Sequence, residues 1–458
     1  MAAIEWDPEI RETDQPKYVQ LAAAIGDDIA AGRLKPGDRL PPQRKLAAKL
    51  GIDVSLVSRA YSEAARRGYV ASHVGRGTFV NAAQDDEAAP DPRRTLEEDP
   101  RMNMPPEIDD PAVVAGMRRG LDQVGASLIP LLRYQSAVGS AHDRDIAVNW
   151  LLANGHHVSI ETLTIAPGAH AAIHAVISAM RQPGTVILCE PITYPGIRAI
   201  ASNLALELIG LEEDDKGVTA ESLENAISEH PDAILYLNPT LRNPTTETVP
   251  ADRRIEIAEV LRRHGNALIE DDAYGLVVTD APPPISNLIP DLAWRIVGVS
   301  KALGAGLRLA YAIAPDREKL AAFVQTLRAI NVMTSPLNLA LMSAWIESGT
   351  ADDVRAAVRR SARLRQGIAA RALKEFDYQG ANEAFNVWLT APDGMSRAEV
   401  LSRAAGGPLA IMPSDAFTVA GTPTERLRVC LGGPMSESAL EDGLFDLRSK
   451  LRQNDWGG

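Results

Sequence analysis

The sequence predicts a chain of two parts, a small helical N-terminal head and a large α/β body that ends in a smaller α+β lobe. From about residue 102 onward, near-continuous apolar strand segments alternate with helical segments, which is typical of a mostly parallel sheet covered on both faces. The charge divides at the same place. Residues 17–80 hold 11 Lys and Arg against 5 Asp and Glu, a net +6, whereas the whole chain of 458 residues carries −13. A basic head on a strongly acidic body is typical of a nucleic-acid-binding module joined to a metabolic fold.

Three helices and a hairpin are predicted for the head, residues 1–80. The helices are expected at Tyr18–Gly32, Leu46–Leu50 and Leu56–Ala65, with Pro36-Gly37 and Gly51 as breaks between them. Two short strand-like runs, 68–70 and 75–80, flank a glycine-containing turn. This order of elements predicts a winged helix-turn-helix.

A linker is predicted at residues 81–101. This stretch contains Asp85-Asp86-Glu87, three prolines and few large apolar residues. Fully extended at roughly 3.3 Å per residue, it could reach about 70 Å. The body is then predicted at residues 102–458, with the smaller lobe at roughly 330–458.

The expected strands of the body are apolar runs of five or so residues. They lie at 185–189, 233–237, 267–269 and 295–299 in the large part, and at 385–389 and 427–431 in the small lobe. Cys189 and Cys430, the two cysteines, both lie in such runs and predict neither a disulfide framework nor a metal site. We find no charged-then-apolar leader and no uncharged run of about 18 residues, so we expect a cytoplasmic protein.

The third helix of the head has the features of a DNA-reading helix. Asp53 can cap it, and Leu56, Val57, Ala60, Tyr61 and Ala64 form a buried stripe. Ser55, Ser58 and Arg59 then face outward and suit a major groove. Arg44 and Lys45 are expected to hold phosphates, and Arg76 is expected at the tip of the wing.

The run from Leu40-Pro41-Pro42-Gln43-Arg44-Lys45 to Gly68-Tyr69 resembles the GntR family of bacterial regulators over roughly residues 17–80. The resemblance implies binding to double-stranded DNA. Many relatives carry arginine where this chain has Val54, so its base contacts are expected to differ from theirs, and no operator sequence follows from this helix.

Several motifs of the body place polar residues at or near the ends of predicted strands. Lys301 follows one strand, Asp271 lies at the end of another with Tyr274 three residues later, and Asn243 precedes a proline. Their order resembles that of fold-type I aminotransferases, which bind pyridoxal 5'-phosphate. The resemblance implies that the amine of Lys301 forms the internal aldimine and that Asp271 keeps the pyridine nitrogen protonated. It also implies that Tyr274 and Asn243 hydrogen-bond the phenolic oxygen of the ring.

The phosphate and the ligand carboxylate also have candidate partners. Gly168-Ala169-His170 opens a helix whose first N–H groups can face a dianion, and Ser300 and Arg308 complete that cradle. Tyr194 is expected to stack on the ring. Arg428 is expected to bind a carboxylate, although Arg426 could take this role instead.

Over almost its whole length the chain resembles the MocR-type branch of the GntR regulators, in which a winged helix-turn-helix is fused to a fold-type I aminotransferase-like domain. Three positions depart from the family pattern. Gly298 stands where relatives usually have a hydroxyl, Thr246 replaces a common glycine, and the segment before Trp388 lacks the usual paired glycines.

The resemblance implies a homodimeric transcription regulator that senses pyridoxal phosphate, a small amino compound or both through an aldimine at Lys301. Two other functions stay open. The body could be a working aminotransferase that carries a DNA-binding appendage, with Lys301, Asp271 and Tyr274 as its catalytic residues. Pyridoxal phosphate alone could also be the effector.

Overall fold

The structure is a computed structural model that describes residues 4, 6–8, 16–35, 37–66, 69–73, 77–80 and 102–452. The chain divides into two units, Met1–Glu98 and Asp99–Gly458. The predicted linker at 81–101 and the predicted wing-tip residue Arg76 lie outside the described residues.

In its described residues the head has three helices and one antiparallel hairpin, as the sequence predicts. These elements are α1 (Lys17–Ala30), α2 (Gln43–Leu50), α3 (Val54–Arg66), β1 (Val70–His73) and β2 (Gly77–Val80). Helix α2 ends at Gly51, whose φ of 65° is the left-handed conformation that glycine adopts without strain. The apolar stripe of α3 packs into a core with α1 and α2, in which Leu21, Leu46, Val57 and Tyr61 are buried.

A seven-stranded sheet forms the centre of the body, in the order β3-β11-β10-β9-β8-β4-β5. Strand β11 runs in the direction opposite to the other six strands, so the sheet is mostly parallel. The strands that precede the lobe, including the small β6/β7 hairpin, are β3 (Leu163–Ala166), β4 (Val186–Cys189), β5 (Glu207–Gly210), β6 (Glu213–Asp214), β7 (Gly217–Val218), β8 (Ile234–Leu237), β9 (Leu268–Asp272), β10 (Ala293–Gly298) and β11 (Ala310–Ile313).

Helices cover both faces of this sheet because neighbouring residues of its strands enter different cores. On β10, Ile296 packs with residues of α7 and α11, whereas Val297 packs with residues of α6 and α12. The helices of this part of the body are α4 (Pro111–Gly125), α5 (Leu128–Leu131), α6 (Ala141–Ala153), α7 (Ala169–Met180), α8 (Pro195–Asn203), α9 (Ala220–Glu229), α10 (Ala251–His264), α11 (Arg317–Asn331), α12 (Pro336–Glu347) and α13 (Thr350–Ala372). The α/β body predicted from the alternating pattern is confirmed.

The C-terminal lobe has a four-stranded antiparallel sheet in the order β12-β13-β15-β14. Its elements are β12 (Tyr378–Gln379), β13 (Asn386–Thr390), α14 (Arg397–Ala404), β14 (Ile411–Pro413), β15 (Arg426–Cys430) and α15 (Glu437–Arg452). Its core joins Val387, Leu427 and Leu444 to the C-terminal half of α13. No described helix of the chain is long and apolar enough to cross a membrane.

Candidate functional site

A cavity of about 570 Å³ lies beyond the carboxyl ends of β8, β9 and β10, where sites of α/β sheets usually lie. Most of the residues predicted from the sequence line it. They are Ala169, His170, Tyr194, Asn243, Asp271, Tyr274, Ser300, Lys301, Arg308 and Arg428. Gly168 lies directly beside this set as the N-cap of α7. The structure thus brings together, across more than 250 residues of sequence, the side chains that the motifs single out.

Lys301 follows β10 after two residues and points into the cavity, where its Nζ donates a hydrogen bond to the main-chain oxygen of Asn103. Burial, together with the positive charge of Arg428, lowers the pKa of Lys301 to about 8. At pH 7 about one tenth of this amine is therefore neutral, which is the form that reacts as a nucleophile.

Asp271, on β9, has one satisfied and one unsatisfied carboxylate oxygen. Tyr236, on the neighbouring strand β8, donates its hydroxyl to Asp271 Oδ2 at 2.7 Å. Within the described part of the chain, Oδ1 is buried and has no hydrogen-bond partner. Burial raises the pKa of Asp271 to about 7. A buried acceptor of this kind fits a protonated pyridine nitrogen, which would satisfy Oδ1 and favour the ionised carboxylate.

Tyr274, Asn243 and Arg428 meet on the lobe side of the cavity. Arg428, on β15, is buried and donates from Nη1 to Asn243 Oδ1 at 3.1 Å. Its guanidinium lies 5.1 Å from the centroid of the Phe417 ring. Arg426 instead donates to Gln379 at 3.1 Å and is absent from the lining of this cavity. Of the two arginines, Arg428 is therefore the one that a ligand in the cavity can reach.

The start of α7 and Arg308 form the end of the cavity suited to a phosphate. Gly168 caps α7 with a φ of 101°, and no side chain of the described residues caps this helix by a hydrogen bond. A Cβ on Gly168 would lie 3.0 Å from Arg308 Nη2, so the guanidinium lies against the helix start. Backbone N–H groups and a cation thus converge where a dianion can bind.

The structure shows what two of the departures from the family pattern, Gly298 and Thr246, change locally. A Cβ at Gly298 would lie 3.7 Å from the Cβ of Ala169, an ordinary contact, so the fold leaves room for the hydroxyl that relatives carry. Thr246 adopts a φ of 66°. A glycine at this position would be unstrained, whereas a β-branched residue there costs about 1–3 kcal/mol.

Three polar residues of the site were not predicted from the sequence. Asn238 follows β8, and its amide donates to the main-chain oxygen of Asp271 at 2.6 Å. Tyr236 binds Asp271, as described. The position of Asn238 directly after an apolar strand was a signal that could have identified it. Asn103 has no such signal, since it follows the linker rather than a strand.

The turn after β9 is held by a buried ion pair. Asp272 accepts from the amide of Gly275 at 2.9 Å and from Arg295 Nε at 3.1 Å. Although burial opposes ionisation, the Arg295 guanidinium lowers the pKa of Asp272. This pair fixes the turn that carries Tyr274. The two neighbouring aspartates of β9 therefore differ, because burial raises the pKa of Asp271 whereas Arg295 lowers the pKa of Asp272. In the described ranges, no group of three or more His, Cys, Asp or Glu side chains could hold a metal ion.

In the head, most of the residues predicted to meet DNA are exposed at the starts of α2 and α3. Arg44, Lys45, Ser55 and Arg59 are exposed, and Ser58 is half-buried. Asp53 Oδ1 accepts from the amide of Ser55 at 2.7 Å, as expected of a cap. The guanidinium of Arg59 lies 4.5 Å from the centroid of the Tyr18 ring on α1, so a ring contact orients it.

Comparison with known families assigns both parts of the chain. Residues 130–444 match the family described as aminotransferase class I and II. Residues 17–80 match the bacterial regulatory proteins of the gntR family.

Individual relatives align with two thirds or more of the chain. The HTH-type transcriptional regulator YdeF of Bacillus subtilis is 28% identical over 98% of this chain and 97% of its own length. The HTH-type pyridoxine biosynthesis transcriptional regulator PdxR of Corynebacterium glutamicum is 27% identical over 68% of each chain. The fold of the body is also that of LysN, an alpha-aminoadipate aminotransferase of Thermus thermophilus solved with N-(5'-phosphopyridoxyl)-L-leucine. That match has a TM-score of 0.67 and 22% identity, and covers 77% of this chain and 91% of LysN.

Proposed function

Because this chain belongs to the MocR-type GntR transcriptional regulators and carries an aminotransferase class I and II body, we propose that a ligand held around Lys301 controls how its head binds DNA. The chain is a DNA-binding transcriptional regulator, and its body binds pyridoxal phosphate. We infer that the signal is pyridoxal phosphate, a small amino compound bound with it, or both. We infer that such a regulator acts in the cytoplasm, where it can bind DNA.

Lys301 is the proposed attachment point. When bound, pyridoxal phosphate supplies an aldehyde that condenses with a primary amine with release of one water, and a ring that withdraws electrons from that amine. The lowered pKa of Lys301 keeps a reactive fraction of its amine neutral near pH 7–8. No other described lysine lines the cavity.

Asp271, Tyr274 and Asn243 would orient the ring of the cofactor. The unpartnered Oδ1 of Asp271 would accept from the pyridine nitrogen, while Tyr236 holds the other oxygen. Tyr274 and Asn243 also line the cavity and would hydrogen-bond the phenolic oxygen. Tyr194, half-buried at the start of α8, would support the ring face.

The phosphate would lie at the start of α7. The N–H groups of Ala169 and His170, the hydroxyl of Ser300 and the fork of Arg308 would supply donors and charge there. Arg428 would bind the carboxylate of an amino-acid-like ligand, because a guanidinium fork matches that group.

DNA would be bound by the head through two kinds of contact. Arg44 and Lys45, at the start of α2, would hold phosphates. Ser55, Ser58 and Arg59, on α3, would approach base edges in a major groove. Arg76 would contribute from the wing, although it lies outside the described residues.

A second copy of the chain would cover an apolar face of the body. Large apolar side chains are exposed around α5 and the end of α11. The two segments are in contact, because the main-chain N–H of Gln135 donates to Met333 Sδ at 3.2 Å. The exposed residues are Leu128, Ile129, Leu132, Tyr134, Ile330 and Val332. A face of this kind indicates a protein interface, and two-fold pairing would match paired DNA half-sites. Ile129→Asp with Leu132→Asp should lower the mass measured by light scattering from dimer to monomer, and an unchanged dimer would count against this face.

An aminotransferase activity is the second candidate. Lys301, Asp271, Tyr274 and Arg428 line one cavity, which is the set that transamination of an amino acid needs. A steady-state assay that follows consumption of a 2-oxo acid separates the two candidates. Turnover at typical enzyme rates of about 1–1000 per second would favour the enzyme. Absence of turnover, together with a DNA affinity that depends on the ligand, would favour the sensor.

The observation that carries the sensor proposal is the convergence of a DNA-binding head and this cavity in one chain. DNA fragments selected from a random library by the full-length protein give a probe for the head. Adding pyridoxal phosphate, and then candidate amines, should change the affinity of the wild-type protein for that probe but not the affinity of Lys301→Ala. An identical response in both proteins would overturn the proposal.

A further inference from the structure

The first described residues after the linker position line the cavity. Met102 and Asn103 are part of its wall, and Asn103 is only 3% exposed. The main-chain oxygen of Asn103 accepts the hydrogen bond from Lys301 Nζ. The segment through which the sequence leads back to the head is therefore in direct contact with the lysine.

The side chain of Asn103 has a defined orientation. Its Nδ2 donates to the hydroxyl of Tyr274 and to Asn386 Oδ1, both at 2.9 Å. Asn386 in turn donates from Nδ2 to the carbonyl oxygen of Pro244, at 2.8 Å. Because a carbonyl oxygen only accepts, the nitrogen of Asn386 must face Pro244, and its Oδ1 must face Asn103. The atom of Asn103 at that contact is consequently the donor Nδ2.

This orientation leaves the hydroxyl hydrogen of Tyr274 for another acceptor. Tyr274 accepts from Asn103, and among the described residues it donates to none. Tyr274 is also buried and lines the cavity. Asn103 thus presets the direction in which Tyr274 offers its hydrogen, while the main chain of the same residue holds the amine of Lys301.

The segment from Met102 to Glu107 is also fixed to the strand that carries Arg428. Gly433, just after β15, donates its amide to Pro105 at 3.1 Å and accepts from the amide of Glu107 at 3.3 Å. A Cβ on Gly432 would lie 1.8 Å from the main-chain oxygen of Met104, so the two backbones touch. The segment that carries Asn103 therefore contacts Lys301 on one side and the chain just after β15 on the other.

We propose that Asn103 is a positioning residue that links the state of the Lys301 nitrogen to the chain leading to the head, an inference that rests on the proposed attachment at Lys301. A free amine donates to the Asn103 carbonyl. Bonding of that nitrogen to the aldehyde carbon of the cofactor, with release of one water, would leave it at most one hydrogen, which would no longer be directed to this carbonyl. The Asn103 carbonyl then loses its donor, and the segment 102–107 must adjust.

The test uses an isosteric substitution in the full-length protein, Asn103→Asp, with Asn266→Asp as its matched control. Asn266 is also buried, and its Nδ2 donates twice, to Pro231 O at 2.8 Å and to Ala233 O at 3.0 Å. It lies away from the cavity. Both substitutions remove a buried amide donor and create an unfavourable oxygen pair, with Asn386 in one case and with the carbonyls of Pro231 and Ala233 in the other. Only Asn103→Asp also reverses the contact with Tyr274, whose hydroxyl would then donate to the new carboxylate.

Three measurements are made with pyridoxal phosphate as the probe: its affinity, the pH midpoint of the absorbance change of the bound form, and hydrogen exchange of the amides in 102–110 with and without it. We expect Asn103→Asp to weaken binding about tenfold, as one lost orienting hydrogen bond does, and to shift the pH midpoint. The wild-type protein should exchange differently in 102–110 on binding, and Asn266→Asp should behave like the wild type in all three measurements.

The outcomes separate this inference from the proposed function. If the wild-type protein binds the cofactor at Lys301 but exchange in 102–110 is unchanged, or if Asn103→Asp matches Asn266→Asp, then Asn103 has no positioning role. If the wild-type protein does not attach the cofactor to Lys301, the proposed function itself is wrong. The exchange measurement on the wild-type protein does not depend on either variant folding.

Discussion

Asp271→Asn should make the cofactor-free body more stable while weakening its binding of pyridoxal phosphate. In the folded chain burial raises the pKa of Asp271 from 3.8 to about 7. The folded state thus binds this proton more tightly than the unfolded state, and folding stability falls as pH rises from about 4 to 7 and stays low above. The amide of asparagine does not titrate, so the folding stability of Asp271→Asn does not fall with pH for this reason.

The size of the effect follows from the shift. A difference of about 3 pKa units at 1.36 kcal/mol each corresponds to about 4 kcal/mol above pH 7, an upper bound for a single buried carboxyl. Of this, about 2–3 kcal/mol accrues between pH 5 and pH 8. The amide can still accept the hydroxyl of Tyr236, so that hydrogen bond is retained.

Urea unfolding of the cofactor-free full-length protein at pH 5 and pH 8 measures this difference. Tryptophan fluorescence reports on the body through Trp150, Trp294, Trp345 and Trp388, which are buried there. The free energy gained by the variant should grow by about 2–3 kcal/mol between the two pH values. A gain that is the same at both, or a variant less stable than the wild type at pH 8, would refute the reasoning.

The neighbouring aspartate is the control, because its environment has the opposite sign. Asp272 is paired with Arg295, which lowers its pKa although burial opposes this. Asp272→Asn should destabilise the body by about 3–5 kcal/mol, since it leaves a buried guanidinium without its partner. Asp271→Asn should meanwhile bind pyridoxal phosphate about 10- to 100-fold more weakly, the cost of a charged hydrogen bond.

Four further outcomes are expected. Attachment of pyridoxal phosphate to the cofactor-free protein should slow about tenfold for each pH unit below the Lys301 pKa of about 8, because only the neutral amine reacts. A rate that does not depend on pH would contradict this. Arg308→Ala should weaken pyridoxal phosphate about tenfold or more but leave pyridoxal, which lacks the phosphate, unaffected; equal losses for both would place the phosphate elsewhere. Gly298→Ser should tighten the cofactor by about three- to tenfold, because the position has room for a hydroxyl, and dialysis against the cofactor measures it. Arg44→Ala should lower the slope of log affinity for DNA against log salt by about 1, and an unchanged slope would remove Arg44 from the phosphate contacts.

The parts of the fold that the sequence predicts best are those set by local pattern. The buried strands β4, β8 and β9 follow runs of apolar residues, and α3 follows its apolar stripe. Asp271 could be placed in the cavity because it ends such a strand, and the carboxyl ends of parallel strands share one edge.

What the sequence did not predict depends on contacts between distant segments. Arg426 and Arg428 are two residues apart on β15 and so lie on the same face of the sheet. The register with β13 and β14, which sets Arg428 opposite Trp388 and Met412, decides which of the two reaches the cavity. Asn103 has no periodic or strand-end signal, because its position arises from contacts with Tyr274, Asn386 and Lys301. The contact between Arg59 on α3 and the ring of Tyr18 on α1 likewise joins segments that are distant in sequence.

The most direct test of the central claim is the site of covalent attachment. The full-length protein is incubated with pyridoxal phosphate, reduced with borohydride, digested and analysed by mass spectrometry, with Lys301→Arg treated in parallel. We predict a stable phosphopyridoxyl adduct on Lys301 in the wild-type protein and none at this position in the variant. An unmodified Lys301 beside a labelled lysine elsewhere, or a wild-type protein without any adduct, would contradict the account.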